Sequence, residues 1–481
     1  MKKRTKIVAT VGPASDSLEM LKKLIKAGVN VFRLNFSHGT HEYHSQTLAK
    51  IRQAEVETGL VVGILQDISG PKIRISTLEE PFHLKEKDVI TFLKDDIIGR
   101  KVSDTRYEVC INQPEILEQL KVDDYIYLYD GIIRTKVTSI EKDRVNVIVE
   151  NQGILSSKKG VNFPNTNLGI DVITPKDKID MLWGINNDVD FMAISFVQEA
   201  NDMLNARKII NDNGGDIQLI AKIEKFDAVE NIDEILAASD GLMVARGDLG
   251  IEVPFFEVPS IQKMLIKKAN EVSKPVITAT QMLLSMTEKD RATRAEISDI
   301  ANAVLDGTDA VMLSEESAVG HNPVLAVETM VKAIQGTEKI YPYDKYGQFK
   351  INDATDSINE AAVKLCKDVD AWGLICLTSS GSSAKKISRY RPRRDIYAVT
   401  HDIKVAKNLT LCWGIVPAFM VDRNSLGQMM HQVMQQGIER RVLKLDKSYI
   451  LTAGDPVGIA GNTNMIRIIR EREMEFFASL V

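Results

Sequence analysis

Polar side chains with catalytic potential stand at the ends of seven short apolar segments that resemble buried strands. They are Arg33, Asn35, Ser37, Asp67, Ser195, Lys222, Glu224, Arg246, Asp248, Thr280 and Ser314. One such residue alone is most often a solvated loop residue, and core packing does not require polar groups at these positions. Their recurrence at equivalent positions indicates one shared polar site.

Two of these residues, Glu224 and Asp248, are carboxylates on neighbouring segments that lack Cys and His. Mg²⁺ and Mn²⁺ are usually held by one or two carboxylates together with substrate oxygens, so this pair predicts a divalent metal site. Lys222 lies two residues before Glu224 and therefore points to the same face of a strand. It either acts on substrate or forms a salt bridge with Glu224.

Arg33, Lys222 and a divalent metal would form a cationic pocket suited to phosphoryl and carboxylate groups. Chemistry on such groups depends mainly on positioning and charge neutralisation. Gly247 would let a ligand approach the backbone closely, and the helical segment after it would offer free N–H groups to a carboxylate.

Strands that alternate with amphipathic helices must position these residues. We predict eight strands, at Lys6–Val11, Asn30–Phe36, Val61–Ile68, Asp190–Phe196, Gln218–Ile223, Gly241–Ala245, Pro275–Thr280 and Ala310–Ser314. The predicted helices are Leu18–Ala27, Glu42–Glu57, Asp177–Asn186, Asn201–Asn211, Ala228–Ala238, Ser260–Asn270, Glu296–Val304 and Val324–Ile334. Eight such pairs predict a (β/α)8 TIM barrel with its site at the carboxyl ends of the strands.

A chain of 481 residues is longer than a single hydrophobic core usually supports, so we predict several domains. We expect a barrel in residues 1–70 and 171–341, an inserted small β-barrel domain in 71–170, and a C-terminal α/β domain in 342–481. The insertion shows strand-like runs at Phe82–Phe92, Tyr107–Ile111, Tyr125–Tyr129, Ile132–Ile140 and Arg144–Glu150. The C-terminal strands are expected at Trp372–Leu377, Asp395–Val399, Trp413–Val421 and Ser448–Thr452.

Composition is that of an ordinary soluble protein, with 26% charged residues and a formal net charge of −5. This balance makes nucleic acid an unexpected partner. The four cysteines show no C-x-x-C spacing, which is typical of reduced thiols in a cytoplasmic protein. We expect neither a signal peptide nor an association with the membrane, because the apolar runs are too short for either.

The same motifs resemble those of pyruvate kinases along almost the whole chain, especially the bacterial type with Lys in its Gly-Pro-Lys-Ile-Arg segment. The matching segments are Thr10-Val-Gly-Pro-Ala-Ser15, Arg33-Leu-Asn-Phe-Ser-His-Gly39, Gly70-Pro-Lys-Ile-Arg74, Lys158-Lys-Gly-Val-Asn162, Lys222-Ile-Glu224, Ala245-Arg-Gly-Asp-Leu-Gly250, Ala279-Thr-Gln-Met282 and Ala301-Asn-Ala-Val-Leu-Asp-Gly307.

The resemblance implies transfer of a phosphoryl group from phosphoenolpyruvate to ADP, giving pyruvate and ATP in glycolysis. By resemblance, Arg33, Ser195, Lys222, Gly247, Asp248 and Thr280 bind the substrate, and Glu224 and Asp248 hold Mg²⁺ or Mn²⁺. Lys222 would steady the phosphoryl group and the enolate, and Thr280 would relay a proton through water. Asn35, His38, Arg74 and Lys159 would face the nucleotide, with the insertion closing as a lid.

One departure from the family pattern concerns potassium. Many relatives read Asp-Thr-Lys-Gly-Pro-Glu where this chain has Asp67-Ile-Ser-Gly-Pro-Lys72, and their Thr and Glu help to bind K⁺. Ile68 offers no side-chain oxygen, and Lys72 places an ammonium where a second cation would be repelled. We therefore predict that K⁺ is not required; otherwise Asn35, Ser37 and Asp67 are the candidate ligands.

A second departure is Glu315, where relatives usually have Gly or Ala. This extra carboxylate either pairs with a nearby cation or stays solvated.

The C-terminal domain contains a candidate phosphate loop of Thr378, Ser379, Ser380, Gly381, Ser382 and Ser383. Its hydroxyls and N–H groups either hold the phosphate of an allosteric effector, as in the family, or form a plain turn with a serine cap. The segment 454–463 lacks the Trp and Arg of relatives that recognise fructose 1,6-bisphosphate. A sugar monophosphate or nucleoside monophosphate is thus the expected effector, and the resemblance implies a homotetramer.

Several alternatives follow from the same residues. A zinc site at His38, His41 and His44 is disfavoured because their spacing spreads the rings around a helix. A Walker-type nucleotide site is not supported, because the sequence has no G-x-x-x-x-G-K-[ST] motif. A lyase or aldolase would use Lys222 to form a Schiff base. A metabolite-binding protein without turnover would keep only the C-terminal effector site.

Overall fold

The computed structural model describes residues 3–164, 166, 169, 171–422, 425–456 and 461–480. Over these residues, eight parallel strands close into a barrel, each paired with its neighbours in chain order and the last with the first. The strands are Lys6–Thr10, Val31–Asn35, Gly63–Asp67, Phe191–Ile194, Gln218–Ile223, Gly241–Ala245, Val276–Ala279 and Ala310–Leu313. The predicted TIM barrel is confirmed.

Helices cover the outside of the barrel and explain why its strands are mainly apolar, since both faces of the strands are buried. Their bounds are Leu18–Ala27, His41–Thr58, Pro175–Asn186, Ala200–Asp212, Phe226–Glu230, Ile232–Ala238, Arg246–Glu252, Val258–Glu271, Arg294–Asp306, Glu315–Ala318 and Pro323–Glu338, with a 3-10 turn at Leu284–Thr287. The helix predicted over Ala228–Ala238 is divided at Asn231, whose ψ of 15° leaves the α region.

Between the third and fourth barrel strands the chain forms a seven-stranded sheet and a two-stranded sheet. Their strands are Phe82–Leu84, Val89–Leu93, Arg100–Ser103, Arg106–Cys110, Tyr125–Leu128, Ile133–Ile140, Arg144–Val149, Gly153–Leu155 and Val161–Asn162, with a 3-10 turn at Pro114–Glu118. The run Phe82–Phe92 is two strands, because Lys87 has a φ of 74° and reverses the chain. This insertion has its own hydrophobic core.

The C-terminal region contains a five-stranded sheet flanked by helices. Its strands are Gly373–Leu377, Asp395–Thr400, Ile415–Met420, Tyr449–Ala453 and Met465–Ile469. The helices are Ala354–Asp368, Ser382–Arg389, Ile403–Asn408, Leu426–Glu439 and Glu471–Ser479, with a 3-10 turn at Leu409–Leu411. The last strand is antiparallel and was not predicted from sequence.

The C-terminal α/β unit packs on the amino-terminal end of the barrel through a buried arginine. Arg391 is 1% exposed and binds both carboxylate oxygens of Asp309, at 3.1 and 3.2 Å. It also donates to Asn270 Oδ1 at 2.5 Å and to the Gly307 carbonyl at 2.6 Å. Asp309 directly precedes the eighth barrel strand, so this contact ties the two units at the end of the barrel away from the strand-end polar residues.

None of the helices in the described ranges combines the length and the apolar character needed to cross a membrane.

Candidate active site

Two cationic side chains contact one buried carboxylate across the carboxyl ends of the barrel strands. Asp67 ends the third strand and lies between two cations. Its Oδ2 accepts a hydrogen bond of 2.6 Å from Arg33 Nε, and its Oδ1 lies 3.2 Å from Lys222 Nζ. Asp67 is 1% exposed and thus holds both cations in place.

Lys222, on the fifth strand, is held by two further groups. Its Nζ lies 2.9 Å from Glu224 Oε1 and donates to Ser195 Oγ at 2.6 Å. Ser195 donates in turn to the Ile68 carbonyl at 2.7 Å, and Glu224 Oε2 accepts from the Phe196 N–H at 2.8 Å. The predicted alternative of a Lys222–Glu224 salt bridge is therefore present, as part of a larger polar network.

The electrostatics of this network favour the charged forms of Lys222 and Asp67. Burial alone would lower the pKa of Lys222, but Asp67 and Glu224 outweigh burial and raise it above the ordinary value. Burial would raise the pKa of Asp67, but Lys222 and Arg33 hold it below the usual range. Lys222 thus stays an ammonium group.

Glu224 differs from Asp67 because its pKa is raised, first by burial and also by the negative charge of Asp248, with Lys222 opposing both. Asp248 lies in the first turn of the helix Arg246–Glu252. Nowhere in the described ranges do three or more His, Cys, Asp or Glu side chains form a group able to hold a metal ion. The donor set is two carboxylates, which fits Mg²⁺ or Mn²⁺ if substrate or water supplies the other ligands.

Thr280 stands just after the seventh strand in a left-handed conformation, with a φ of 66°. This conformation is rare for a β-branched residue and is typical of a constrained functional site. Arg246 holds it by donating to the carbonyls of Ala279 at 3.1 Å and Thr280 at 2.6 Å. The Thr280 hydroxyl accepts a hydrogen bond from the Gly247 N–H at 2.9 Å, so Thr280 is tied to the first turn of the helix that contains Asp248.

A cavity of ≈ 260 Å³ separates the insertion from the barrel. Four charged residues line this cavity on the side of the insertion: Lys72, Arg74, Asp130 and Lys159. Three more line it on the side of the barrel: Lys225, Asp248 and Glu252. Lys159 Nζ lies 3.9 Å from the centre of the Tyr129 ring, and Arg74 donates to the Lys158 carbonyl at 3.0 Å. Two of the four predicted nucleotide residues, Arg74 and Lys159, thus share one cavity with Asp248.

The other two lie near the end of the second strand: Asn35 is its last residue, and His38 is on the loop that follows. Asn35 Oδ1 accepts from the Ser37 N–H at 3.1 Å, and exposed His38 offers its carbonyl to His44 Nε2 at 2.9 Å. Neither is among the described residues that line the cavity. His41 instead contacts Asp180 at 2.7 Å, and His44 packs on Phe36.

Lys72 lies within electrostatic reach of Lys222, Glu224 and Asp248. Burial lowers its pKa, Lys222 lowers it further, and Asp248 and Glu224 oppose the shift. Ile68 is 1% exposed and offers the site only its backbone.

The residue after Glu315 has a structural role that sequence reasoning missed. Glu315 is exposed, whereas Glu316 is 1% exposed and accepts hydrogen bonds from the N–H groups of Leu283 at 3.0 Å and Ser314 at 2.8 Å. It therefore joins the loops that follow the seventh and eighth strands. The available signal was a second carboxylate, Glu316, directly before the small and apolar Ser317-Ala318-Val319 run.

The loop 378–383 connects the first C-terminal strand to the helix Ser382–Arg389. Thr378 Oγ1 accepts from the Gly381 N–H at 2.9 Å, and Gly381 adopts a φ of 83° that favours glycine. Ser380 and Ser382 line a cavity of ≈ 510 Å³ together with Lys274, Lys385, Lys386 and Arg389. In the segment 454–463, residues 457–460 lie outside the described residues, while Thr463 bonds to the Ser383 hydroxyl.

Comparison with known proteins finds the same architecture and sequence pattern. A family model described as "Pyruvate kinase, barrel domain" matches residues 2–327, and one described as "Pyruvate kinase, alpha/beta domain" matches residues 356–469. A pyruvate kinase from Geobacillus stearothermophilus is 41% identical over 476 residues, which cover 97% of this chain and 80% of that protein.

A pyruvate kinase from Clostridium acetobutylicum is 39% identical over 472 residues, which cover 97% of this chain and 99% of that protein. Among solved structures, a pyruvate kinase from Cryptosporidium parvum superposes with a TM-score of 0.91 at 33% identity, covering 97% of this chain and 96% of that chain.

Proposed function

The chain belongs to the pyruvate kinase family and is a phosphotransferase, and we propose that it transfers the phosphoryl group of phosphoenolpyruvate to ADP in glycolysis. The products are pyruvate and ATP. One observation supports this above the others: Lys222 is held between Asp67 and Glu224 at the end of the barrel, with Arg33 on the other side of Asp67. This arrangement presents two fixed cations to an anionic substrate.

In the proposed mechanism Arg33 and Lys222 bind the phosphoryl group and neutralise the charge that develops during transfer. Glu224 and Asp248 would hold Mg²⁺ or Mn²⁺, which would polarise substrate oxygens when bound. Gly247, Asp248 and Ser195 complete the substrate site. Because Ser195 accepts a hydrogen bond from Lys222, it also orients the ammonium group.

Thr280 is our candidate for delivering a proton to the enolate, through water. Its hydroxyl is fixed by the Gly247 N–H and the Ala279 carbonyl, at 2.9 and 2.7 Å. A fixed hydroxyl can orient a water molecule towards one face of the enolate, which is what protonation at carbon requires.

The nucleotide would enter the cavity between the insertion and the barrel, where Arg74 and Lys159 meet its phosphates. Asn35, at the end of the second strand, and His38, on the loop that follows, would also contact the nucleotide. We assign residues 1–70 and 171–341 to the catalytic domain and 71–170 to a lid. Closure of the lid would exclude water, which would otherwise compete with ADP for the phosphoryl group.

A coupled lactate dehydrogenase assay with phosphoenolpyruvate, ADP and magnesium tests this function. We expect turnover by the wild-type protein and its loss in Lys222→Met, because the charge at the transferring group is removed. Turnover that survives in Lys222→Met would contradict the assignment of Lys222.

Potassium is proposed to be dispensable, because Lys72 supplies a cation near the site and Ile68 offers no side-chain oxygen. Activity in buffer with tetramethylammonium as the only monovalent cation should equal activity with K⁺. A loss of orders of magnitude that K⁺ restores would overturn this, and would make Asn35, Ser37 and Asp67 the candidate ligands.

The Schiff-base alternative is disfavoured by the charge state of Lys222. An amine nucleophile must lose its proton, whereas Asp67 and Glu224 raise the pKa of Lys222. Treatment with borohydride in the presence of pyruvate should therefore leave no adduct. A trapped adduct would support a lyase or aldolase, and failure of the coupled assay would support a metabolite-binding protein.

The C-terminal domain, residues 342–481, is proposed to bind a phosphorylated activator at Thr378, Ser379, Ser380, Gly381, Ser382 and Ser383. Lys385, Lys386 and Arg389 follow on the next helix and line the same cavity as Ser380 and Ser382. A sugar monophosphate or a nucleoside monophosphate should shift the saturation curve for phosphoenolpyruvate to lower concentration. If none of the candidates shifts the curve, the allosteric proposal is wrong.

We further propose, from the family resemblance, a homotetramer in the cytoplasm. Size-exclusion chromatography with light scattering measures the subunit number.

A further inference from the structure

A buried ion pair that the proposed mechanism does not use lies at the base of the lid cavity. Lys225 Nζ is 2.8 Å from Glu252 Oε2, and the two side chains are 4% and 3% exposed. Lys225 directly follows Glu224, and Glu252 is the last residue of the helix that contains Asp248. The pair therefore joins the two segments that carry the proposed metal ligands.

The same pair contacts the segment by which the chain returns from the insertion to the barrel. Lys225 Nζ donates to the Phe163 carbonyl at 3.2 Å, and the Asn162 side chain hydrogen-bonds to Glu252. Asn162 ends the last strand of the insertion, and Phe163 is fully buried in the insertion's core. One end of the insertion is thus tied to the ion pair.

A second contact between the insertion and this helix lies nearby. Gly131, with a φ of 83°, packs against Ile251, and a Cβ at position 131 would lie 3.3 Å from Ile251 Cγ2. Ile251 is adjacent to Glu252. The insertion therefore contacts the end of this helix at two points.

Such a pair is not needed for stability alone. Replacing both partners of a buried ion pair by apolar side chains often leaves the stability of a protein unchanged or increases it. Removing only one partner leaves a buried charge unpaired and lowers stability. What an apolar pair cannot reproduce is the directed bond to the Phe163 carbonyl and the bond to Asn162.

We propose that Lys225 and Glu252 are positioning residues for the nucleotide half of the reaction. They fix the return segment so that Lys159, four residues before Phe163, stays over the cavity it shares with Asp248. Four residues span at most about 14 Å, so an anchor at Phe163 restricts where Lys159 can reach. This inference rests on the proposed function, in which Lys159 binds the phosphates of ADP.

The test compares Lys225→Met, Glu252→Gln and the double variant Lys225→Met/Glu252→Met. We expect each single change to raise the KM for ADP about tenfold, while the KM for phosphoenolpyruvate changes less than twofold. The double variant should recover the thermal midpoint of the wild type but keep the high KM for ADP. Lys268→Met, which removes the exposed pair with Asp233, is the control and should change nothing.

Equal changes in both KM values, or recovery of the KM for ADP in the double variant, would show a merely structural role and overturn the proposal.

Hydrogen–deuterium exchange of residues 153–163 provides a readout that does not need turnover. Glu252→Gln keeps the shape of the side chain, and we expect faster exchange in these residues than in the wild type. Unchanged exchange would overturn the anchor. An inactive wild-type protein with the expected exchange result would instead contradict the proposed function and leave the anchor supported.

Discussion

Individual side chains at the end of the barrel owe their properties to their neighbours. Lys222 is an ordinary lysine in the sequence, yet Asp67 and Glu224 keep it charged although it is buried. The sequence placed Lys222 and Glu224 on one face of a strand, because side chains alternate along a strand. It did not reveal that Asp67 lies between Lys222 and Arg33, because that contact joins the second, third and fifth strands.

The role of Lys72 leads to the first prediction. Ile68→Thr combined with Lys72→Glu supplies a hydroxyl and a carboxylate and removes an ammonium group, so K⁺ should become a required cation. Activity in tetramethylammonium buffer should fall at least tenfold and return when K⁺ is added, as measured by the coupled assay. Ile68→Thr alone is the control and should remain independent of K⁺. A double variant that stays active without K⁺ would contradict the explanation.

The second prediction concerns pH and His44. Its ring stacks on Phe36 with centroids 4.1 Å apart, its Nε2 donates to the His38 carbonyl, and its Nδ1 is buried without a partner. Burial lowers the pKa of His44, and nearby His41 and Lys176 act in the same direction against Asp180. The unfolded chain, whose histidine pKa is about 6.5, therefore binds this proton at a higher pH than the folded protein does, and stability is lost as the pH falls.

We expect His44→Gln to lose less of its thermal midpoint than the wild type between pH 7.5 and pH 5.5, because the titrating ring is gone. Thermal unfolding at both pH values, followed by circular dichroism, measures the difference. Equal losses in the two proteins would show that His44 does not contribute.

Elements of the barrel were predicted well because parallel strands buried on both faces give continuous apolar runs. The fifth and sixth strands match their predicted bounds, and each of the others differs by one or two residues at one or both ends. The helical segment expected after Gly247 instead begins at Arg246 and includes Gly247, a start that the low helix propensity of Arg-Gly-Asp-Leu-Gly did not indicate. Its first residue, Arg246, donates hydrogen bonds to the carbonyls of Ala279 and Thr280, which are contacts between distant parts of the chain.

Loop packing at the rim leads to the third prediction. Gly12 follows the first strand, and a Cβ added there would lie 2.6 Å from the Ala318 carbonyl oxygen. The backbone must move to relieve this clash. Gly12→Ala should destabilise the protein by about 1–3 kcal/mol. Gly336→Ala is the matched control, since this helical position has open space. It should be neutral or stabilise by up to about 1 kcal/mol. Thermal midpoints that fall equally in both variants would contradict this reasoning.

At the scale of the whole molecule, the barrel and the C-terminal α/β unit are joined by buried polar contacts. Arg391 binds Asp309, Asn270 and Gly307, and the Trp413 N–H donates to Asp309 Oδ1 at 3.0 Å. An interface of this kind is directional, because each donor must meet its own acceptor. It holds the proposed effector domain in a defined orientation on the barrel.

The fourth prediction tests this interface. Arg391→Met leaves the buried Asp309 carboxylate without its cationic partner, which should lower the free energy of unfolding by about 3–5 kcal/mol. Calorimetry should show a lower first unfolding transition, separated from that of the barrel. Arg394→Met removes an exposed pair with Asp370 and is the control, with an expected cost below about 1 kcal/mol. If the two variants unfold alike, Arg391 does not hold the interface.

The sequence by itself determined the barrel, its eight strands and the set of polar residues at their ends, because periodicity and strand-end chemistry are local properties of the chain. It also indicated the departure at Ile68 and Lys72, because residue identity alone carries that information. Only the tertiary structure decided the partners: Asp67 between two cations, Glu316 between two loops, and Lys225 with Glu252 under the return segment of the insertion. These contacts join residues far apart in the chain, and their distances and burial follow from closure of the barrel and docking of the insertion, which no local pattern specifies.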